Sequence, residues 1–215
     1  MIPKVIYMCH KKTDDIKIYS KNWEKLNPDW KINLYDDKSC QDFLFREYGQ
    51  LYLDIFNYIK DGPIKSDFWR LCILYKYGGL YIDADIEPIL PLNKYIEDDD
   101  YFVTCISRLP PKSHLNPHFI LSYKNNFLLN ECIEKYKEMY INKIKYKYWK
   151  WSIVHVMNNT LFKRIIKEKK SQIIVDNDKK YKFLFEKSLN ETEFLNKLVF
   201  YNRYKNYIDH DFTNN

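Results

Sequence analysis

Between Pro63 and Asp85 a helix runs into a buried strand through two adjacent glycines, and no other feature of the sequence limits the fold as much. Ile64, Phe68, Leu71, Cys72 and Tyr75 recur at helical spacing and mark one apolar face over Pro63 to Tyr77. Pro63 suits the first turn of that helix. Gly78 stands where a left-handed cap is wanted, and Gly79 lets the backbone turn at once into the short apolar strand Leu80 to Ile82. The chain holds only 4 Gly, where ordinary usage would supply about 15, so half of its glycine sits at this junction. The strand ends in Asp83-Ala84-Asp85. In an open α/β sheet, ligands bind outside the carboxyl ends of strands. Extended residues two apart point the same way, so both carboxylates converge there. Two like charges that close are costly without a cation between them. Hard oxygen donors with open positions suit Mg²⁺ or Mn²⁺ shared with substrate phosphates.

The rest of the chain supplies a matching scaffold. Val5 to Cys9 and Trp30 to Tyr35 read as strands, and Asp14 to Leu26, Lys38 to Tyr48 and Leu51 to Ile59 as helices. Further strands are expected at Tyr101 to Ser107, Phe119 to Ser122, Ile173 to Val175, Phe183 to Phe185 and Val199 to Tyr201. Helices are expected at Phe127 to Tyr140 and Ser152 to Lys169. Alternating strands and helices predict an α/β fold with a mainly parallel central sheet flanked by helices. The 215 residues fit one domain, 1–215, and 18% aromatics exclude disorder.

The net charge is +6, but Lys supplies nearly all of the 35 basic residues. Its richest stretches, Lys143 to Lys150 and Lys163 to Lys170, are interrupted by Ile, Tyr and Trp or by Glu168. That pattern reads as solvated faces with at most a weak attraction to a membrane surface, and no nucleic-acid signature accompanies it. Five cysteines without a CxxC pair suit a reducing compartment. With no signal-like or membrane-spanning run, a cytoplasmic location is expected.

The stretch Lys65-Ser66-Asp67-Phe68-Trp69-Arg70, followed by Tyr77-Gly78-Gly79-Leu80-Tyr81-Ile82-Asp83-Ala84-Asp85, resembles the central block of the DXD-containing sugar transferases of glycosyltransferase family 32. Ile2 to Tyr7 resembles that family's first strand. The segments around Trp23, Asn27-Pro28-Asp29-Trp30 and Tyr35-Asp36-Asp37 resemble its second strand region. The resemblance implies the nucleotide-sugar-binding fold called GT-A. It also implies transfer of a hexose from a nucleoside diphosphate sugar to a glycan, lipid-linked or protein acceptor, with anomeric configuration retained. A UDP-sugar is favoured as donor, with GDP-mannose the other choice. By the same resemblance Asp85 binds the Mn²⁺ or Mg²⁺ directly, and Asp83 reaches it through water or holds the ribose. Asp67 and Arg70 grip the donor sugar; on a helix they are i, i+3 and share a face. The donor is expected to touch Tyr7, Met8, Ser66, Tyr81 and Asn116. His210 completes the metal site, with Asp209 or Asp211 as substitutes.

Other residues read more plainly. His114 and His118 flank Asn116 in what reads as a loop. His155 reads as a satisfied core histidine, and Trp149 and Trp151 as packing residues. Three competing readings stay open at this point. One is a phosphatase with its nucleophile in the first Asp of the D-x-D, and another a basic nucleic-acid module. The third is a transferase-like fold that only binds sugar.

Overall fold

The computed structural model describes residues 2–107, 114–162, 171–188 and 190–202. The elements run β1 (Val5–Cys9), α1 (Thr13–Leu26), β2 (Lys31–Tyr35), α2 (Asp37–Tyr48), α3 (Gln50–Tyr58), α4 (Gly62–Tyr77), β3 (Gly79–Ile82) and β4 (Ile86–Pro88). They continue β5 (Asp100–Ser107), β6 (His114–Ser122), α5 (Phe127–Ile141), α6 (Tyr148–Trp151), α7 (Ile153–Met157), β7 (Ile173–Asp176), β8 (Lys179–Ser188), β9 (Glu191–Phe194) and β10 (Lys197–Asn202). All the described strands join one sheet of order β2-β1-β3-β6-β5-β8-β9-β10-β4, with β7 paired to β8.

The expected α/β architecture is present, but its sheet is mixed, not mainly parallel. β1 pairs in parallel with β2 and β3, and β5 with β8. β6 runs against both β3 and β5, and β9, β10 and β4 pair antiparallel. Strand–helix alternation covers only the first part of the chain; the strands from β7 onward follow one another closely and return as hairpins. The last of these hairpins folds back toward the D-x-D. Asn202 at the end of β10 pairs with Ile86, the residue after Asp85.

Both faces of the sheet are covered, so β1 and β3 carry apolar residues toward both. On one face Tyr7, Tyr81, Ile120 and Phe183 pack with α2 to α5. On the other, Ile6, Met8, Leu80, Ile82 and Leu121 pack with Trp23 of α1 and with Ile86, Val199 and Phe200. α4 lies deepest. Ile64 and every residue from Asp67 to Leu74 are buried, so the single apolar face read from the sequence understates it. α2, α3 and α5 enclose its remaining sides.

The expected helix from Ser152 to Lys169 is broken. Ser152 is extended (φ −68°, ψ 145°), and its Oγ accepts from the His155 N–H at 3.3 Å as the cap of α7. Residues 158–162 form a π-helical stretch, and residues 163–170 lie outside the described residues. His155 is exposed and contacts Asn159 at 3.0 Å, so it is not a core residue. Trp151 is buried in the core, whereas Trp149 is half exposed.

Gly78 and Gly79 have φ of 70° and 106°. With ψ at −173°, Gly78 occupies a region essentially closed to other residues. A Cβ there would lie 2.8 Å from the Lys124 backbone nitrogen, and one on Gly79 would lie 2.8 Å from the Val5 carbonyl oxygen. Gly78→Val is therefore expected to cost about 3 kcal/mol or more in urea unfolding. A variant within about 0.5 kcal/mol of the parent would contradict this account of the junction.

Candidate active site

α4 and β3 meet at the glycine junction, and their side chains form one buried polar network. Its centre is Arg70, only 4% exposed. Arg70 Nη2 lies 2.9 Å from Asp83 Oδ1 and 3.1 Å from Asp67 Oδ1, and donates to Ser66 Oγ at 3.1 Å. Its Nη1 donates to the Pro117 carbonyl at 2.9 Å. The guanidinium lies 4.1 Å from the centre of the Tyr81 ring, a favourable placement for a cation on an aromatic face. The Tyr81 hydroxyl donates to Asp83 Oδ1 at 2.7 Å and sits 2.8 Å from Ser66 Oγ. Asp67 Oδ2 accepts from the Ile153 N–H at 2.9 Å, which ties α7 to α4.

The electrostatics follow from burial. Burial pushes the Asp67 carboxyl up to about 6, against the opposing pull of Arg70 and the Ile153 N–H. Burial, then the neighbouring charge of Asp83, pushes Asp85 up to about 7. Burial opposes the charge of Arg70, but Asp83, Tyr81 and Asp67 overcome it and raise its pKa further. The Asp83 N–H donates to the His118 carbonyl at 2.9 Å, and the Ile86 N–H returns to the Asp83 carbonyl at 3.2 Å. That turn sets both aspartates at the carboxyl end of β3.

Asp83 and Asp85 form a hard oxygen donor set beside a fixed guanidinium. A divalent cation would offset both the burial and the Asp83 charge that raise the Asp85 pKa. The donor chemistry fits Mg²⁺ or Mn²⁺. A second acidic group, Glu97, Asp99 and Asp100, lies at the start of β5, the opposite end of the sheet. Lys182 Nζ already lies 2.9 Å from both Glu97 Oε2 and Asp100 Oδ2, and Lys180 also pairs with Glu97.

Of the residues expected from the sequence, Ser66, Asp67, Arg70, Tyr81 and Asp83 share this network, and Asp85 adjoins it. Asn116 and His118 lie on β6, not in a loop. Asn116 Nδ2 donates to Glu186 Oε1 at 2.6 Å. The Tyr7 and Met8 side chains are buried in the two apolar layers. His210, Asp209 and Asp211 lie outside the described residues. Sequence reasoning missed Glu186, 3% exposed at the end of β8. It also missed Cys9, whose Sγ is 3.0 Å from Ser66 Oγ. The Cys40 thiol, first among its neighbours, holds the Cys9 pKa down.

Residues 13–102 match the family described as the glycosyltransferase sugar-binding region containing DXD motif. This segment is a DXD-type glycosyltransferase sugar-binding region. It carries Ser66, Asp67, Arg70, Tyr81, Asp83 and Asp85, while Asn116 and Glu186 lie beyond it. The chain is similar to the initiation-specific alpha-1,6-mannosyltransferase of Candida albicans, 30% identical over 84 residues, covering 38% of this chain and 22% of that protein. It is also similar to a mannosyl phosphorylinositol ceramide synthase of Saccharomyces cerevisiae, 33% identical over 106 residues, covering 45% of this chain and 27% of that protein. The aligned part is thus about a quarter of these relatives' length. Among solved structures, the PaToxG glycosyltransferase superposes with a TM-score of 0.56 at 18% identity, over 76% of this chain and 70% of its own. The fold is accordingly of the GT-A type.

Proposed function

We propose that the chain is a glycosyltransferase that moves a hexose from a nucleoside diphosphate sugar to a hydroxyl acceptor, retaining the anomeric configuration. One observation carries this reading: two aspartates at the carboxyl end of β3, within the matched segment, adjoin a buried Arg70 that already binds Asp67 and Asp83. Asp83 and Asp85 would hold a divalent cation, which when bound would neutralise the charge of the leaving diphosphate. His210, offered by the family resemblance, is the proposed third ligand.

In the proposed reaction the acceptor oxygen bonds to the anomeric carbon as the bond from that carbon to the phosphate oxygen breaks. The acceptor proton passes to the departing diphosphate. Asp67 and Arg70 offer the edges of a preorganised polar wall to the sugar hydroxyls and supply alignment. Because Arg70 is held on several sides, it also keeps Asp67 and Asp83 in place.

One of the two relatives is named a mannosyltransferase and the other a mannosyl phosphorylinositol ceramide synthase, so GDP-mannose comes before the uridine-linked sugars in testing. Glycans, lipid-linked sugars and proteins are the acceptor classes to screen. No helix among the described residues is long and apolar enough to cross a membrane.

A thermal-shift panel of GDP-mannose, UDP-glucose, UDP-galactose and UDP-N-acetylglucosamine, with and without Mn²⁺, tests this reading. One donor is expected to stabilise the protein only when Mn²⁺ is present, by about 2.7 kcal/mol at a hundredfold excess over Kd. A chelator should abolish both that shift and donor hydrolysis. No shift with any sugar nucleotide would sink the proposal. Salt-sensitive binding of oligonucleotides in its place would favour a nucleic-acid module.

A further inference from the structure

We infer that Glu186 is a positioning residue for the donor-sugar subsite, holding the Asn116 amide so that its oxygen faces away from β8 and toward the incoming sugar. The inference rests on the glycosyltransferase reading above. It starts from an irregularity in the sheet. β5 and β6 pair Thr104 with Ile120, then Ile106 with Leu115, so β6 carries extra residues between those points. Bulges of this kind re-aim strands beside active sites. The extra residues include Asn116, Pro117 and His118. Two of their carbonyls are fastened to the site: Pro117 to Arg70 and His118 to the Asp83 N–H, each at 2.9 Å. The bulge is therefore built against the arginine and the first aspartate.

Glu186 supports this bulge from behind. It comes from β8 at a second irregularity, where Glu186 pairs with Thr192 but Ser188 pairs with Glu191. Its carboxylate accepts from Asn116 Nδ2 at 2.6 Å and lies 3.4 Å from His118 Nδ1. Glu186 and His118 are each 3% exposed. Burial lowers the His118 pKa, which favours a neutral ring. An amide that donates through nitrogen to a buried carboxylate has its orientation set, because the reverse orientation would place two oxygens in contact. Asn116 is half-buried on the bulge whose next two carbonyls meet Arg70 and the Asp83 N–H, and its side-chain oxygen is then a hydrogen-bond acceptor of fixed direction.

The test compares dissociation constants of GDP and GDP-mannose, and of UDP and UDP-glucose, each with Mn²⁺. The proteins are the parent, Glu186→Ala and Glu186→Gln. Glu186→Ala is expected to leave nucleoside diphosphate affinity within about twofold and to weaken the sugar nucleotide roughly tenfold or more. Glu186→Gln still offers an acceptor oxygen to Asn116 and should recover most of that loss. Unchanged sugar-nucleotide affinity in Glu186→Ala, or equal weakening of both ligands, would overturn the inference. Should Glu186→Ala fail to fold, Asn116→Asp alone and combined with Glu186→Gln carries the test. The single change sets two carboxylates against each other, and the pair of changes restores a donor–acceptor contact. Recovery of sugar-nucleotide affinity in the double variant supports the inference, and no recovery overturns it. If the parent protein binds neither nucleotide pair, the glycosyltransferase reading falls and this inference with it.

Discussion

Asp85→Asn is expected to abolish Mn²⁺-dependent donor turnover, by about 100-fold or more, while raising the thermal stability of the metal-free protein at pH 8. Asp85 is pushed up to about 7 by burial and by Asp83, from an ordinary value of 3.8. A carboxyl whose pKa is raised on folding contributes fully to stability below its unfolded value. That contribution is lost as pH rises through the folded value. In chelator, the parent should therefore lose stability between about pH 4 and about pH 7, as a charged Asp85 is forced to stay beside Asp83. Asparagine carries no charge and removes that loss. The Asn variant should melt above the parent at pH 8, with the gap shrinking toward pH 5. Such an exchange of stability for function marks a site under electrostatic strain. A variant that melts below the parent at pH 8, or retains Mn²⁺-dependent turnover, would contradict the assignment.

Arg70→Ala is expected to destabilise the fold by about 3–5 kcal/mol, because it leaves Asp67 and Asp83 buried without their shared cation. The sequence suggests a sugar-gripping arginine whose loss would harm turnover more than nucleotide affinity. Its 4% exposure and its contacts with Asp67, Asp83, Ser66 and Pro117 make stability the first casualty. Arg70→Lys should recover little, since one ammonium cannot span carboxylates and a carbonyl on several sides as a planar guanidinium does. Urea unfolding of both variants, with activity measured where they remain folded, separates these effects. An Arg70→Ala variant within about 1 kcal/mol of the parent would show that the network bears little of the fold's stability.

What was legible before the structure was local. The helix ending at Tyr77, the glycine turn, the strand and both aspartates lie within a short stretch, where periodicity and backbone preference act directly. The antiparallel course of β6 and the return of β10 onto β4 could not be read from spacing. Pairing between distant strands leaves no periodic mark on either one. Glu186 shows the limit most clearly. In Phe183-Leu184-Phe185-Glu186 it looks like the polar end of an apolar strand, and its partner Asn116 lies 70 residues away.

The amino-acid sequence alone determined that a helix bearing Asp67 and Arg70 turns through Gly78 and Gly79 into a strand that delivers Asp83 and Asp85. Local sterics and side-chain alternation suffice for that. Only the tertiary structure decided that Arg70 is buried as the common partner of Asp67 and Asp83, and that Glu186 meets Asn116. Both depend on which strands pair and where they bulge, and that is settled when the two apolar layers pack against opposite faces of one sheet.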